Sequence, residues 1–223
     1  MHLLYPSSPL RAKQPDGQYV AEVDAVRAVG FGVSLFSLED FQAGVFRAFP
    51  PLPSSSEVLY RGWMLSATEY EAFVSALNHV GARAAIDLQT YIWSHYLPSW
   101  YGLLADITPE TRIYQPDCDL EAELSDLGWP EFFIKDYVKS LKTSVGSRIS
   151  KPEQVVAVVA EMRRFRGVIE GGFCVRRVEN FLPDTERRFL CSTACHMQRR
   201  ATCRRLSMSA PSAYGVGFTR WTL

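Results

Sequence analysis

The chain has 223 residues, 47% hydrophobic and 13% aromatic, which is enough apolar side chain for a sizeable core and too much for wholesale disorder. Lys plus Arg and Asp plus Glu number 24 each, and a net charge of zero excludes a globally basic nucleic-acid binder. No run approaches the roughly 18 apolar residues that span a bilayer, and residues 1–10 lack the basic start and apolar stretch of a secretory signal.

The neutral average conceals a partition. Residues 187–223 carry seven arginines (Arg187, Arg188, Arg199, Arg200, Arg204, Arg205, Arg220) and no acid, so −7 before residue 187 balances +7 after it. Three of the five cysteines, Cys191, Cys195 and Cys203, share that stretch. With only Cys118 and Cys174 elsewhere, reduced thiols and a cytoplasmic location are expected.

In chain order, the apolar run at residues 2–5 predicts a strand closed by Pro6-Ser-Ser-Pro9, and Tyr19, Val23 and Val26 recur at helical spacing until Gly30. Phe31, Val33 and Leu35 alternate as a second strand. Residues 49–56, rich in proline and serine, predict a surface loop rather than a linker, because the strands on either side are expected to pair. A strand over 57–61 follows, then a helix with Ser66 and Glu69 as a capping box and Tyr70, Phe73, Val74 and Leu77 on one face. This alternation implies a parallel sheet. Residues 87–104 are aromatic and predicted helical, broken at Pro98.

The second half predicts a strand over 132–135, a polar loop over 136–150, a helix, and strands near 172–178 and 187–190. Ser150 and Glu153 read as a capping box, and Val155, Val158, Val159, Met162 and Phe165 as the helix's buried stripe. Beyond Leu190 no periodicity is evident.

Four constellations could carry chemistry. In Phe132-Phe-Ile-Lys135-Asp-Tyr-Val-Lys139-Ser140-Leu-Lys142, a strand-end lysine leads into hydroxyls and further lysines, which suits phosphate oxygens; a solvated basic loop is the competing reading, and the spacing is not that of a Walker loop. The second runs Arg176-Arg-Val-Glu179…Glu186-Arg-Arg188, where alternating charges either face a ligand groove or form cross-strand salt bridges. Arg61-Gly-Trp63, after a predicted strand, offers a carboxylate clamp beside an apolar wall, or a surface arginine beside a core tryptophan. Cys191, Cys195, His196 and Cys203 lack paired zinc spacing and read as lone thiols. His2, His79 and His95 read as helix or surface histidines.

The lysine segment and the later charged strands resemble the nucleotide-binding part of the ATP-grasp superfamily, specifically a small bacterial amidoligase-like branch. Tyr5-Pro-Ser-Ser-Pro9, Leu59-Tyr-Arg61-Gly-Trp63-Met and His95-Tyr-Leu-Pro-Ser-Trp-Tyr…Thr108-Pro are similar to that branch's N-terminal domain and junction. The resemblance covers roughly residues 3–190. It implies an α/β to α+β architecture: an N-terminal parallel α/β domain over 1–110, a partial ATP-grasp domain over 111–190, and an atypical arginine- and cysteine-rich tail over 191–223.

It further implies an ATP-binding protein related to carboxylate–amine ligases that act through an acylphosphate on a small-molecule or peptide carboxylate. Lys135 would meet the phosphates, Lys139, Ser140 and Lys142 would lie in the covering loop, and Arg176, Glu179 and Glu186 would bind the nucleotide, Glu179 near the nucleoside. Lys135, Lys142 and Arg188 are the implied catalytic charges, with Arg61 and Trp63 toward the substrate. Magnesium is expected from the family, yet no Asp or Glu follows Glu186 and no Asn follows Asn180, a departure that points to impaired catalysis. Neither nucleic acid nor membrane is the expected partner. The alternative is a non-catalytic nucleotide-binding or interaction module whose basic tail binds an acidic partner, RNA among them.

Overall fold

The computed structural model describes residues 1–138, 148–149, 151 and 153–182. Met1–Arg177 forms one compact unit and Val178–Leu223 another, and the elements below all lie in the first.

The N-terminal run is β1 (His2–Ser8), buried from Leu3 through Ser7, and a strand covered on both faces needs no alternation. β2 (Arg11–Pro15), polar and largely exposed, folds back antiparallel on its end. Next come α1 (Val20–Ala28), β3 (Gly32–Phe36), the short α2 (Leu38–Gln42), β4 (Ala48–Phe49) and β5 (Glu57–Tyr60). α3 (Ala67–His79) starts at the expected capping box, with Ser66 and Glu69 exchanging both hydrogen bonds, and β6 (Arg83–Ala84) follows. The sheet order is β4-β3-β1-β5-β6, parallel except for β4.

Three expectations change here. β3 and β5 each pair with β1, which lies between them, and not with each other. Phe49 closes β4 and so is not part of the loop. His2 lies on β1, its Nε2 2.8 Å from the Ser34 hydroxyl, and so belongs to neither a helix nor the bare surface.

α1 covers one face through Val23 against Leu3, Tyr5, Val33 and Leu35. α2 and α3 cover the other, where Phe36, Phe41, Phe73 and Leu77 pack with Leu4 and Val58. The connections leaving the adjacent strands β1 and β5 therefore diverge to opposite faces, which opens a crevice at their carboxyl ends.

The aromatic stretch forms two helices, α4 (Leu88–His95) and α5 (Leu97–Leu104). The break falls at Tyr96; Pro98 sits in the first turn of α5, where its missing N–H costs nothing, and starts a helix rather than breaking one.

The second sheet contains β7 (Thr111–Tyr114), β8 (Phe132–Asp136), β9 (Arg148–Ile149) and β10 (Phe173–Arg177), antiparallel in the order β7-β10-β8-β9. α6 (Leu120–Leu124) and α7 (Gln154–Arg166) pack on one face, burying Leu124, Ile134, Val155, Met162, Phe173 and Val175. Glu153 is the residue before α7 and makes no side-chain cap hydrogen bond; Ser150, the other half of the expected box, lies outside the described residues. Phe165 is 56% exposed and leaves the stripe to Val155, Val158, Val159 and Met162. The strand expected at 187–190 lies outside the described residues.

Candidate functional site

Alternation along β10 turns Phe173 and Val175 toward α6 and α7 and turns Cys174 and Arg176 to the opposite face. The register places Lys135 directly opposite Cys174 and Phe133 opposite Arg176, so the ammonium and guanidinium groups are diagonal neighbours on one face. Their charges both act on the Cys174 thiol, yet burial dominates and pushes it up to about 12, leaving it a buried thiol without nucleophilic character.

Arg176 is 9% exposed. One NH2 group donates to the Thr108 hydroxyl, while Nε meets no acceptor, and among the described residues no carboxylate pairs with it. Burial depresses its pKa, although a guanidinium stays charged in any case. A desolvated cation with an unused donor is costly unless an anion joins it. Thr108 and Tyr101, which accepts the Thr111 N–H at 2.9 Å, belong to this surrounding; the sequence placed both in the junction motif without a role at the site.

Sequence reasoning placed Lys135 and Arg176 in one site, and the sheet brings them together. Glu179 lies in the second compact unit, beyond the end of β10. Lys139, Ser140, Lys142, Glu186 and Arg188 lie outside the described residues, as do Cys191, Cys195, His196 and Cys203.

Arg61 and Trp63 stand at the crevice by β1 and β5, with partners the sequence did not announce. The Arg61 guanidinium is bidentate on Glu22, Nε to Oε1 at 2.7 Å and NH2 to Oε2 at 3.0 Å. Tyr5 donates to the same carboxylate at 3.0 Å, and Trp63 Nε1 donates to Asp16 at 3.2 Å. Glu22 lies 39 residues from Arg61, so no local spacing reveals the pair. A substrate carboxylate at Arg61 must displace Glu22 or share its arginine.

A cavity of about 230 Å³ lies between the first turn of α3 and the second sheet, lined among others by Leu65, Glu69, Asp136, Val138 and Glu170. Among the described residues no group of three or more His, Cys, Asp or Glu side chains is placed to hold a metal ion, and no helix is long and apolar enough to cross a membrane. The segment where the resemblance puts magnesium ligands lies outside the described residues.

A parallel α/β layer thus leads into an antiparallel sheet that carries a strand lysine and a buried arginine on the face away from its helices. Solved structures share this fold. The chain is similar to the D-cycloserine synthetase DcsG, with TM-score 0.52 and 14% identity over 79% of this chain and 58% of that one. It is similar to the RimK-domain ATP-grasp protein of Sphaerobacter thermophilus, with TM-score 0.51 and 17% identity over 81% of this chain and 64% of that one. It is also similar to the D-alanine–D-alanine ligase of Coxiella burnetii, with TM-score 0.50 and 13% identity over 81% and 64%. The chain thus spans 58% to 64% of the length of these structures, and at such identities the likeness is one of fold. No protein-family model and no curated protein matches the chain.

Proposed function

We propose that the chain binds ATP on the face of the second sheet that carries Lys135 and Arg176, within a protein of the carboxylate–amine ligase type. The observation that carries this reading is Arg176, nine-tenths buried with an unused Nε, close to a second cation on one sheet face. An anionic oxygen supplies the acceptor that the buried Arg176 Nε lacks. The fold shared with a synthetase, a RimK-domain ATP-grasp protein and a ligase supports a nucleotide as the source of that oxygen.

In this reading Lys135 meets the phosphates, Lys139, Ser140 and Lys142 close over them, and Glu179 and Glu186 hold the nucleoside end. Lys142 and Arg188, with Lys135, spread the charge of the transferring γ-phosphoryl group. A substrate carboxylate oxygen attacks the γ-phosphorus and the bond to ADP breaks. An amine then attacks the acyl carbon, phosphate departs, and the amine proton passes to solvent. The donor of the carboxylate is a small molecule or peptide placed near Arg61 and Trp63. Domains over 1–110, 111–190 and 191–223, and a cytoplasmic site of action, complete the proposal.

Isothermal titration of ATP into the full chain with and without magnesium tests it, with Lys135→Ala as control. Binding should be measurable in the wild type, and the variant should lose about tenfold or more, the value of one charge-assisted phosphate contact. No binding by the wild type, or equal binding by both, defeats the reading. ATP binding without ADP formation in any amino-acid or peptide mixture leaves a nucleotide-binding module rather than a ligase.

A further inference from the structure

Three hydrogen bonds link the Tyr96–Leu97 corner, where α4 passes into α5, the residue just after β8 and Glu170 to one another. The Leu97 N–H donates to the Tyr137 carbonyl at 2.8 Å, and the Tyr137 N–H donates to the Glu170 carbonyl at 3.2 Å. The Tyr96 hydroxyl donates to the Glu170 carboxylate. Burial first, and then this carboxylate, hold the Tyr96 phenol above its usual range, so it remains a donor at any working pH.

The Tyr137 ring is clamped as well. It packs on Gly171 and Gly172, whose φ values are +74° and +152°. A Cβ on Gly171 would stand 2.3 Å from Tyr137 Cδ2, and one on Gly172 would stand 2.4 Å from the Tyr114 carbonyl oxygen. Only glycine permits both that backbone and that approach. Tyr137 lies two residues beyond Lys135 and two before Lys139, so this clamp fixes the point where the lysine-bearing segment leaves the sheet.

The other end of α4 is fastened to the first sheet's crevice. The Tyr91 hydroxyl accepts the Leu65 N–H at 3.0 Å and donates to the Leu65 carbonyl at 2.8 Å. Its ring stacks on Tyr70 at 3.7 Å and on His95 at 4.0 Å. Leu65 closes the segment that begins with Arg61 and Trp63. One short helix therefore joins the crevice segment to the root of the lysine segment, past the cavity lined by Leu65, Asp136 and Glu170.

We infer that Tyr96 and Tyr137 are positioning residues: clamped to Glu170, Gly171 and Gly172, they hold the end of β8, and with it Lys135, at a fixed distance from the first sheet's crevice. They touch no nucleotide themselves. The inference rests on the ATP reading above and goes beyond it by naming what aligns the two ends of the site.

The test compares ATP with adenosine as ligands of the full chain, in the wild type, Tyr96→Phe, Gly171→Ala and Glu170→Gln. A positioning role acts on the phosphates alone: Tyr96→Phe and Gly171→Ala should weaken ATP by roughly five- to tenfold and leave adenosine affinity unchanged. Glu170→Gln keeps an acceptor for the Tyr96 hydroxyl and should retain ATP affinity. Wild-type ATP affinity in Tyr96→Phe, or parallel losses for ATP and adenosine, overturns the inference while the ATP reading stands. A wild type that binds no ATP overturns the ATP reading itself.

Discussion

The two sheets treat their charges in opposite ways. At the crevice of the first, Arg61 is matched bidentately by Glu22, Tyr5 shares that carboxylate, and Trp63 reaches Asp16. On the second, Arg176 is more deeply buried and, among the described residues, donates to the Thr108 hydroxyl while its Nε meets no acceptor. Among the described residues the first cluster is complete, while the second leaves the Arg176 Nε without an acceptor. The contrast shows why an arginine at a strand end does not by itself mark a ligand site: what distinguishes Arg176 is burial without compensation, since half-exposed Arg61 is solvated whether or not it is paired.

Breaking the first region should cost stability. Phe73, fully buried between Phe36, Tyr60 and Tyr70, is the firmest point of the α3 contact. Phe73→Ala should lower unfolding free energy by about 3–5 kcal/mol in a urea titration, with the loss in the midpoint rather than the slope. A loss under about 1 kcal/mol would mean that this core is not packed as described.

The crevice ion pair should show itself as a small acid-dependent term. The Arg61 hydrogen bonds hold the Glu22 carboxyl below its ordinary value. A carboxylate depressed in the folded state adds stability that is present above its unfolded value of about 4.3 and is lost as pH falls through the folded value. Because both partners are over a third exposed, the term is about 0.2–1 kcal/mol. Glu22→Gln should melt slightly below the wild type near neutral pH, and the gap should close in acid. A gap that widens in acid would reverse the sign of the argument.

The elements legible in the sequence are those whose signals are local. β1, α1, β3, β5 and α3 follow from apolar runs, helical spacing and the Ser66–Glu69 box, and β8 with α7 from the same kinds of pattern. β4, β6 and β9 have two residues each, too few to show any period. β2 is a polar stretch whose pairing with β1 decides its conformation, as tertiary context does for edge strands. Lys135 and Arg176 share a face because alternation and antiparallel register put them there, and alternation was readable. The neighbours of Arg176, Thr108 and Tyr101, and the ties of Tyr96 and Tyr137 to Glu170, join segments far apart in sequence. Only Gly171-Gly172, just before a strand, offered a visible hint of close backbone approach.

The central claim is that Arg176 is held ready for an anion rather than for the fold. Arg176→Met, similar in length and free of charge, tests it by thermal melts of the full chain with and without ATP. The account predicts that the variant melts at or above the wild-type temperature without nucleotide, since an uncompensated buried charge has been removed. It also predicts that the upward shift produced by ATP is largely lost. A variant that melts several degrees lower yet keeps the full ATP shift would contradict the account.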